Sequence, residues 1–200
     1  QHIITIEDPI EYLHQHKMSV VTQRELATDT VSYNVALRAA LREAPDIILL
    51  GEMRDPETIR AAVTAAETGH LVISTLHTIG AANTIDRVVD AFPPEQQQQI
   101  RTQISLVLEG IVSQVLVPSL EGGRVPAFEV MVANSAIRNM VRESKAHQLD
   151  SVIATSSAEG MITMDQSLLQ LVRGGTVSHE EALRHCVNGS WMEKRLDMLE

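Results

Sequence analysis

Short apolar runs followed by polar or charged residues recur along the first third of the chain. His2–Ile6, Ser19–Gln23, Ile47–Leu50 and Leu71–Leu76 are rich in β-branched and aliphatic residues, which predicts four strands. Ile47–Leu50 (IILL) contains no polar residue, and this is typical of a strand that is buried on both faces of a parallel sheet.

Segments with helical spacing alternate with these runs. They cover Ser32–Glu43, Pro56–Gly69, Ala81–Ala91, and Glu95 to about Leu116. Pro45 ends the first helix, because the residue before a proline disfavours helical geometry. Strands that alternate with helices indicate βαβ units, so the sequence predicts an α/β fold with a mostly parallel sheet.

The pattern changes after Pro118. Residues 120–132 (LEGGRVPAFEVMV) predict a hairpin that turns at Gly122 and Gly123, and Ser178 with Glu181 has the spacing of a capping box. Beyond Asn134 the sequence predicts only helices, at about 135–143, 146–155, 164–173 and 179–187. We therefore expect a core in residues 1–133 and an all-helical subdomain in residues 134–200.

Composition narrows the class of protein. The 200 residues suit one domain with a small appendage, and the net charge of −10 argues against a surface for nucleic acid or anionic membranes. No apolar stretch approaches the roughly 18 residues that a membrane span needs, so we expect a cytoplasmic protein without direct membrane insertion. A single cysteine, Cys186, excludes a disulfide within the chain and a zinc site built on several thiolates.

The residues that follow three of the predicted strands are the candidates for chemistry. Because the carboxyl ends of parallel strands meet at one edge, where α/β sheets bind ligands, we expect these residues to lie together. Carboxylates there can bind a divalent metal or orient a water molecule, and arginine or histidine can bind phosphate oxygens. The candidates are Glu7, Asp8 and Glu11, then Glu52, Arg54 and Asp55, and finally His77 flanked by Thr75 and Thr78.

Each of these groups also has a purely structural interpretation. Asp8 and Asp55 each precede a proline and are suited to capping a turn or helix. His77 alone fits a structural histidine, and Arg54 is placed to pair with Asp55 or Glu52. The coincidence of three clusters at one edge favours a phosphate or nucleotide site.

Four segments, taken in order, resemble the signatures of the secretion and type IV pilus motor ATPases. They are ITIEDPIEYLH, ALREAPDIILLGEMRD, TAAETGHLVISTLHT and TIDRVVDAFPPEQQ, and they match in order and spacing. The first resembles the aspartate box, the second the Walker B segment and the third the histidine box. The resemblance implies a RecA-like P-loop NTPase core, a homohexameric ring, and ATP with Mg²⁺.

The segment SAIRNMVRE, Ser135–Glu143, is similar to the AIRNLIRE signature of pilus-retraction motors, the PilT branch of that family. Met140 and Val141 replace the usual leucine and isoleucine. A purely structural interpretation is an amphipathic helix with Ile137 and Val141 spaced for packing. One cysteine cannot supply the tetracysteine zinc motif typical of the assembly and secretion branches, so retraction is favoured. The motif residues are Ala136, Ile137, Arg138, Asn139, Arg142 and Glu143.

The resemblance implies a role for each matching residue. Glu52 corresponds to the Walker B glutamate, which helps to activate water and to position magnesium. Glu7, Asp8 and Glu11 match the aspartate box, which assists metal and water placement. The implied contacts to the nucleotide are His77, which senses the γ-phosphate, with Arg54 and Arg87, of which Arg87 is also a candidate for contact with a neighbouring subunit.

The sequence contains no G-x-x-x-x-G-K-[ST] phosphate loop, which in this family precedes the aspartate box. We therefore expect the chain to be the C-terminal part of a motor, and to be inactive on its own. The implied function is ATP-driven pilus retraction and twitching motility, at the cytoplasmic face of the inner membrane, on a pilus platform protein and with other pilus machinery. The alternatives are a pilus assembly or type II secretion ATPase, or a non-catalytic regulatory partner of such a ring.

Overall fold

The computed structural model describes residues 1–199, and the chain forms two compact units. The first unit contains Gln1–His77 and Val88–Val107, and the second contains Thr78–Arg87 with the residues from Leu108 onward. The chain therefore passes between the units after His77, after Arg87 and after Val107. Within the described residues, no helix is both long and apolar enough to cross a membrane.

The first unit is built on a four-stranded parallel sheet. Its strands are β1 (His2–Glu7), β2 (Val20–Glu25), β3 (Ile47–Leu50) and β4 (Leu71–Ser74), in the spatial order β2-β1-β3-β4. The register places Ile6 beside Leu50 and Leu50 beside Ser74, so the carboxyl ends of β1, β3 and β4 are level. The α/β fold with a parallel sheet is confirmed.

The helices of this unit follow the predicted spacing. They are α1 (Tyr33–Ala40), α2 (Pro56–Glu67), the end of α3 (Ala81–Asp90) and α4 (Pro94–Val107). Leu37 of α1 and Ala62 of α2 pack against Ile6, Ile48 and Leu50 of the sheet. Both helices thus cover the same face of the sheet.

Strand β3 is fully buried on that face alone. Ile48 and Leu50 have no exposed surface, whereas Ile47 is half-buried. In the neighbouring strand, Leu71 and Ile73 are each 46% exposed. The prediction that Ile47–Leu50 is buried on both faces is therefore wrong for the second face, because α1 and α2 both lie on the first.

The second unit begins with a hairpin. Strands β5 (Gly110–Pro118) and β6 (Arg124–Val132) pair antiparallel, and Gly122 and Gly123 lie in the turn as predicted. The predicted helix from Glu95 to Leu116 is wrong beyond Val107. Gly110 disfavours a helix by about 1 kcal/mol, and the valine-rich residues that follow alternate between buried and exposed positions as a strand requires.

Within residues 1–199, five helices follow the hairpin, and two 3₁₀ turns lie among them. Val117 and Ala127 of the hairpin share a core with Leu168 and Met192 of these helices, so the contacts group the hairpin with them. The domain boundary near Asn134 stays a prediction. The helices are α5 (Ser135–Arg142), α6 (Leu149–Thr155), α7 (Met164–Arg173), α8 (His179–His185) and α9 (Gly189–Leu196), with turns at Ala146–Gln148 and Ser157–Glu159.

Two details of these helices differ from the prediction. The sequence pattern missed α9, whose first turn is capped by Asn188. At α8 the Ser178 side chain accepts the Glu181 N–H, but the Glu181 carboxylate pairs with Arg184 instead of closing a capping box. A complete capping box occurs at the start of α7, between Thr163 and Gln166.

Candidate functional site

The residues after β3 and β4 are fastened together at the carboxyl edge of the sheet. The Thr75 hydroxyl donates to the Gly51 carbonyl over 2.5 Å, and the Met53 N–H donates to the Thr75 carbonyl over 3.3 Å. Because β1, β3 and β4 are neighbours and parallel, the residues that follow them share this edge. The expectation that the three strand ends meet is confirmed, whereas the roles of the side chains stay predictions.

Glu52 is the centre of this edge. One carboxylate oxygen pairs with the Arg54 guanidinium, and the other lies 3.2 Å from Nε2 of His77. The Glu52 side chain is 12% exposed, whereas those of Arg54 and His77 are 67% and 89% exposed. The bond from Arg54, with a smaller contribution from His77, holds the pKa of Glu52 below its ordinary value. Glu52 is therefore ionised at neutral pH and can accept a proton or contribute an oxygen to a cation.

Of the two partners suggested for Arg54, the structure selects Glu52. Asp55 instead accepts the backbone N–H of Thr58 over 2.9 Å and its hydroxyl over 2.8 Å, at the start of α2. Burial alone would raise the pKa of Asp55, but these bonds outweigh it and hold the pKa below its ordinary value. The capping interpretation of Asp55 is therefore confirmed.

The three acids after β1 differ in their surroundings. Glu7 accepts hydrogen bonds from the Thr5 hydroxyl over 2.5 Å and from the Gln23 amide over 3.0 Å, which fix its carboxylate. Asp8 is exposed, and its charge acts on Arg54. Glu11 is exposed in the loop towards β2, and it makes no ion pair within residues 1–199.

Tyr33, the first residue of α1, also belongs to this edge, although the sequence pattern did not indicate it. Its hydroxyl lies over Gly51, since a Cβ added to that glycine would be 3.0 Å from the oxygen. Burial, and then the negative charges of Asp8 and Glu52, raise the pKa of Tyr33. The available signal was a tyrosine directly after the helix-capping Ser32, in a chain with two tyrosines.

The remaining predicted residues lie in the second unit. Arg87 is exposed on α3. In α5, Ile137 and Val141 are buried, which confirms the packing interpretation of that helix.

The polar residues of the α5 motif are exposed, except Arg138, which is half-buried. Arg138 pairs with Glu109 over 3.2 Å, and Asn139 donates to Glu143 over 3.2 Å. Lys145 pairs with Glu143 over 2.6 Å, and the Lys145 bond is the main cause that holds the pKa of Glu143 below its ordinary value. Ala136 and Arg142 are exposed.

The sheet order and the strand-end groups define an α/β protein with a parallel sheet, the class in which ligands generally bind at the carboxyl ends of the strands. Residues 1–184 match the family described as Type II/IV secretion system protein. The chain belongs to this family.

Two curated relatives and one solved structure illustrate the similarity. The chain is 54% identical over 192 residues to a twitching motility protein of Neisseria gonorrhoeae, covering 96% of this chain and 51% of the relative. It is 55% identical over 181 residues to the type IV pilus retractation ATPase PilT of Pseudomonas aeruginosa, covering 90% and 53%. The crystal structure of the pilus retraction motor PilT with bound ADP matches with a TM-score of 0.89 and 50% identity, over 96% of this chain and 55% of that one.

These similarities confirm the resemblance to PilT and the fold of the secretion ATPases. The chain spans about half the length of the curated relatives it matches.

Proposed function

We propose that this chain is the C-terminal part of an ATP-hydrolysing motor that retracts type IV pili and so drives twitching motility. The observation that supports this most is the near-buried Glu52 carboxylate between Arg54 and His77 at the sheet edge. The names of the relatives at 54% and 55% identity support retraction as the task of the motor.

Glu52 orients the water that attacks the terminal phosphate and accepts its proton. Its pKa, held below the ordinary value by Arg54, keeps the carboxylate ionised for this role. Glu7 is held rigidly by Thr5 and Gln23, so it presents a second fixed carboxylate to the same edge. Asp8 and Glu11 add negative charge on the loop after β1.

His77 senses the phosphate. When Nε2 carries a proton it donates to Glu52 over 3.2 Å, and because the ring is 89% exposed, a phosphate oxygen can compete for the same proton. Arg54 offers its exposed guanidinium to phosphate oxygens in the same way. Arg87 contacts phosphate or a neighbouring subunit.

The donor set fits a magnesium ion that arrives with the nucleotide. Within residues 1–199 no three acidic, histidine or cysteine side chains converge as a metal site would require. Mg²⁺ typically keeps several waters and is bound through one or two carboxylates together with substrate phosphates. Glu52 and Asp8 are the carboxylates that would hold it, and the ion would neutralise charge on the phosphates.

Six copies of the chain form the ring, and the α5 motif is required for pilus retraction. Asn139 is exposed and Arg138 is half-buried, while Ile137 and Val141 are buried and anchor the helix. The motor acts at the cytoplasmic face of the inner membrane, on the pilus platform protein and with other pilus machinery.

A chimera tests the proposal. The N-terminal half of the P. aeruginosa relative, joined to this chain at the matching position, is expected to hydrolyse ATP and to restore twitching to a strain without its retraction motor. Glu52→Gln should lower the hydrolysis rate by roughly 10²- to 10⁴-fold, the usual worth of a general base. Glu180→Gln, a change at a 73% exposed surface glutamate, is the control and should leave the rate unchanged.

Two results would contradict the proposal. A folded chimera that binds ATP but does not hydrolyse it would favour a non-catalytic regulatory partner. Hydrolysis that restores pilus extension without retraction would favour an assembly ATPase.

A further inference from the structure

Tyr33 carries a hydroxyl group that its packing does not require. The ring is half-buried and packs against the core of the first unit, to which Leu37 and Leu50 belong. A phenylalanine would fill the same space. A tyrosine hydroxyl in such a place usually has a hydrogen-bond partner, yet within residues 1–199 the Tyr33 hydroxyl has none. The hydroxyl is therefore a group that packing leaves unexplained.

The position of this hydroxyl is fixed from both ends of the side chain. Tyr33 is the first residue of α1, and the Ser32 side chain caps this helix by accepting the Val35 N–H over 3.2 Å. At the other end, the hydroxyl oxygen lies 3.0 Å from the point where a Cβ of Gly51 would be, and that point is 3.4 Å from Cα of Glu7. The hydroxyl thus lies where β1 and β3 end, within the first unit.

The backbone acceptors beside the hydroxyl already have donors. The Ile6 carbonyl accepts the Gly51 N–H over 2.8 Å, and the Gly51 carbonyl accepts the Thr75 hydroxyl over 2.5 Å. The O–H of Tyr33 is therefore a fixed donor that is available to a ligand at the carboxyl edge of the sheet.

The surroundings of the hydroxyl favour a neutral ligand. Burial raises the pKa of Tyr33, and the negative charges of Asp8, Glu52 and Glu7 raise it further against the opposing charge of Arg54. The phenol is thus protonated at neutral pH and can donate one hydrogen bond. Because three carboxylates act on this point, a water molecule approaches the hydroxyl at a lower electrostatic cost than a phosphate oxygen does.

Glu52, the residue after Gly51, provides the complementary acceptor. Its oxygens pair with Arg54 and lie 3.2 Å from Nε2 of His77, but a carboxylate has about four lone-pair sites and can accept further hydrogen bonds. A water that accepts from Tyr33 and donates to Glu52 is held from two sides. Phosphoryl-transfer enzymes require a residue that orients the attacking water in this way.

We propose that Tyr33 is a catalytic residue: its hydroxyl donates a hydrogen bond to the water that attacks the terminal phosphate, while Glu52 accepts one from the same water. This inference rests on the proposed function, in which Glu52 is the general base. The water oxygen bonds to the terminal phosphorus, the bond from phosphorus to the bridging oxygen breaks, and ADP leaves with that electron pair. The proton of the water passes to Glu52, and Tyr33 keeps its own proton.

The experiment uses the chimera proposed above with Tyr33→Phe, and Tyr12→Phe is the matched control. Tyr12 is the other tyrosine of the chain, and it is 75% exposed in the loop after β1. Tyr33→Phe should lower kcat roughly 3- to 10-fold, as expected for the loss of one hydrogen bond. The KM for ATP should change by less than about 2-fold, because the water contact does not contribute to nucleotide binding. Tyr12→Phe should leave both constants unchanged.

A double variant distinguishes a shared water from a disturbance of packing. In a Glu52→Gln background the water has lost its other contact, so adding Tyr33→Phe should lower kcat by less than about 2-fold. A disturbance of α1 would lower kcat by the same factor in both backgrounds. Amide exchange in β1 and β3 of the 200-residue chain should be the same in wild type and Tyr33→Phe, because the ring remains.

Three outcomes would overturn the inference. They are a fall of kcat in Tyr33→Phe smaller than about 3-fold, a raised KM for ATP with unchanged kcat, and an equal fall of kcat in both backgrounds. The raised KM would place the hydroxyl on the nucleotide instead of the water. An active, Glu52-dependent chimera that is insensitive to Tyr33→Phe refutes the role of Tyr33 alone, whereas a wild-type chimera without hydrolysis refutes the proposed function as well.

Discussion

Gly51 lies under the hydroxyl of Tyr33, and we expect Gly51→Ala to destabilise the first unit mainly through that hydroxyl. An added Cβ would be 3.0 Å from the Tyr33 oxygen, 3.3 Å from the Ile6 carbonyl oxygen and 3.4 Å from Cα of Glu7. The backbone has little freedom to retreat, because the Gly51 N–H donates to the Ile6 carbonyl over 2.8 Å.

The magnitude follows from two opposing effects. Overpacking of this kind costs about 1–3 kcal/mol, and the lower chain entropy of alanine in the unfolded state returns about 0.4–1 kcal/mol. In a Tyr33→Phe background the nearest contact is absent, so the cost should fall by roughly 1 kcal/mol, within the usual range for coupled neighbours.

Amide exchange in β1 and β3 gives the opening free energy of this unit for the wild type, both single variants and the double variant. The coupling should be positive, meaning that Tyr33→Phe partly rescues Gly51→Ala. Equal costs of Gly51→Ala in the two backgrounds, within about 0.3 kcal/mol, would refute the placement of Tyr33 over Gly51.

Three further predictions concern the Asp55 cap, the buried Glu129 carboxylate and the retraction motif. Asp55→Ala should cost about 1 kcal/mol at neutral pH in urea unfolding. Because the pKa of Asp55 is lowered in the folded state, this contribution is present above its ordinary value of 3.8 and lost as pH falls. A cost that persists at low pH would contradict the capping role. The pKa of Glu129 is raised, so the unfolding free energy of wild type relative to Glu129→Gln should decline as pH rises above the ordinary value of 4.5. A flat difference between pH 4 and 8 would be inconsistent with that shift. In the chimera, Arg138→Ala with Asn139→Ala should abolish retraction and spare ATP hydrolysis, and a loss of hydrolysis would place the motif in the catalytic cycle instead.

The grouping of residues at the carboxyl ends of the strands was predictable because its signals are local in the sequence. The apolar run Ile47–Leu50 marks a strand, and Glu52 and Arg54 follow it directly, so the parallel topology alone brings them to one edge. The choice of Glu52 over Asp55 as the partner of Arg54 was not predictable. It depends on the Asp55 carboxylate, which caps α2 by accepting the Thr58 N–H and is therefore already engaged.

The features that the sequence did not predict have a common cause, which is tertiary context. Helical and strand spacing overlap at residues 108–116, and pairing with β6 decides the outcome. Tyr33 is far from Gly51 in sequence, and only the packing of α1 against the sheet brings its hydroxyl to the site. The placement of Ser113 opposite Glu129 likewise depends on the hairpin register.

The uneven exposure of the sheet has a consequence for handling the chain in solution. In the sheet of the described residues, β4 pairs with β3 alone, and Leu71 and Ile73 are each 46% exposed. The opposite edge, β2, bears Arg24 and Glu25, and charges of this kind discourage strands of other molecules from adding to an edge. Self-association of the isolated chain should therefore proceed through β4. It should rise with protein concentration and resist added salt, and Ile73→Lys should suppress it.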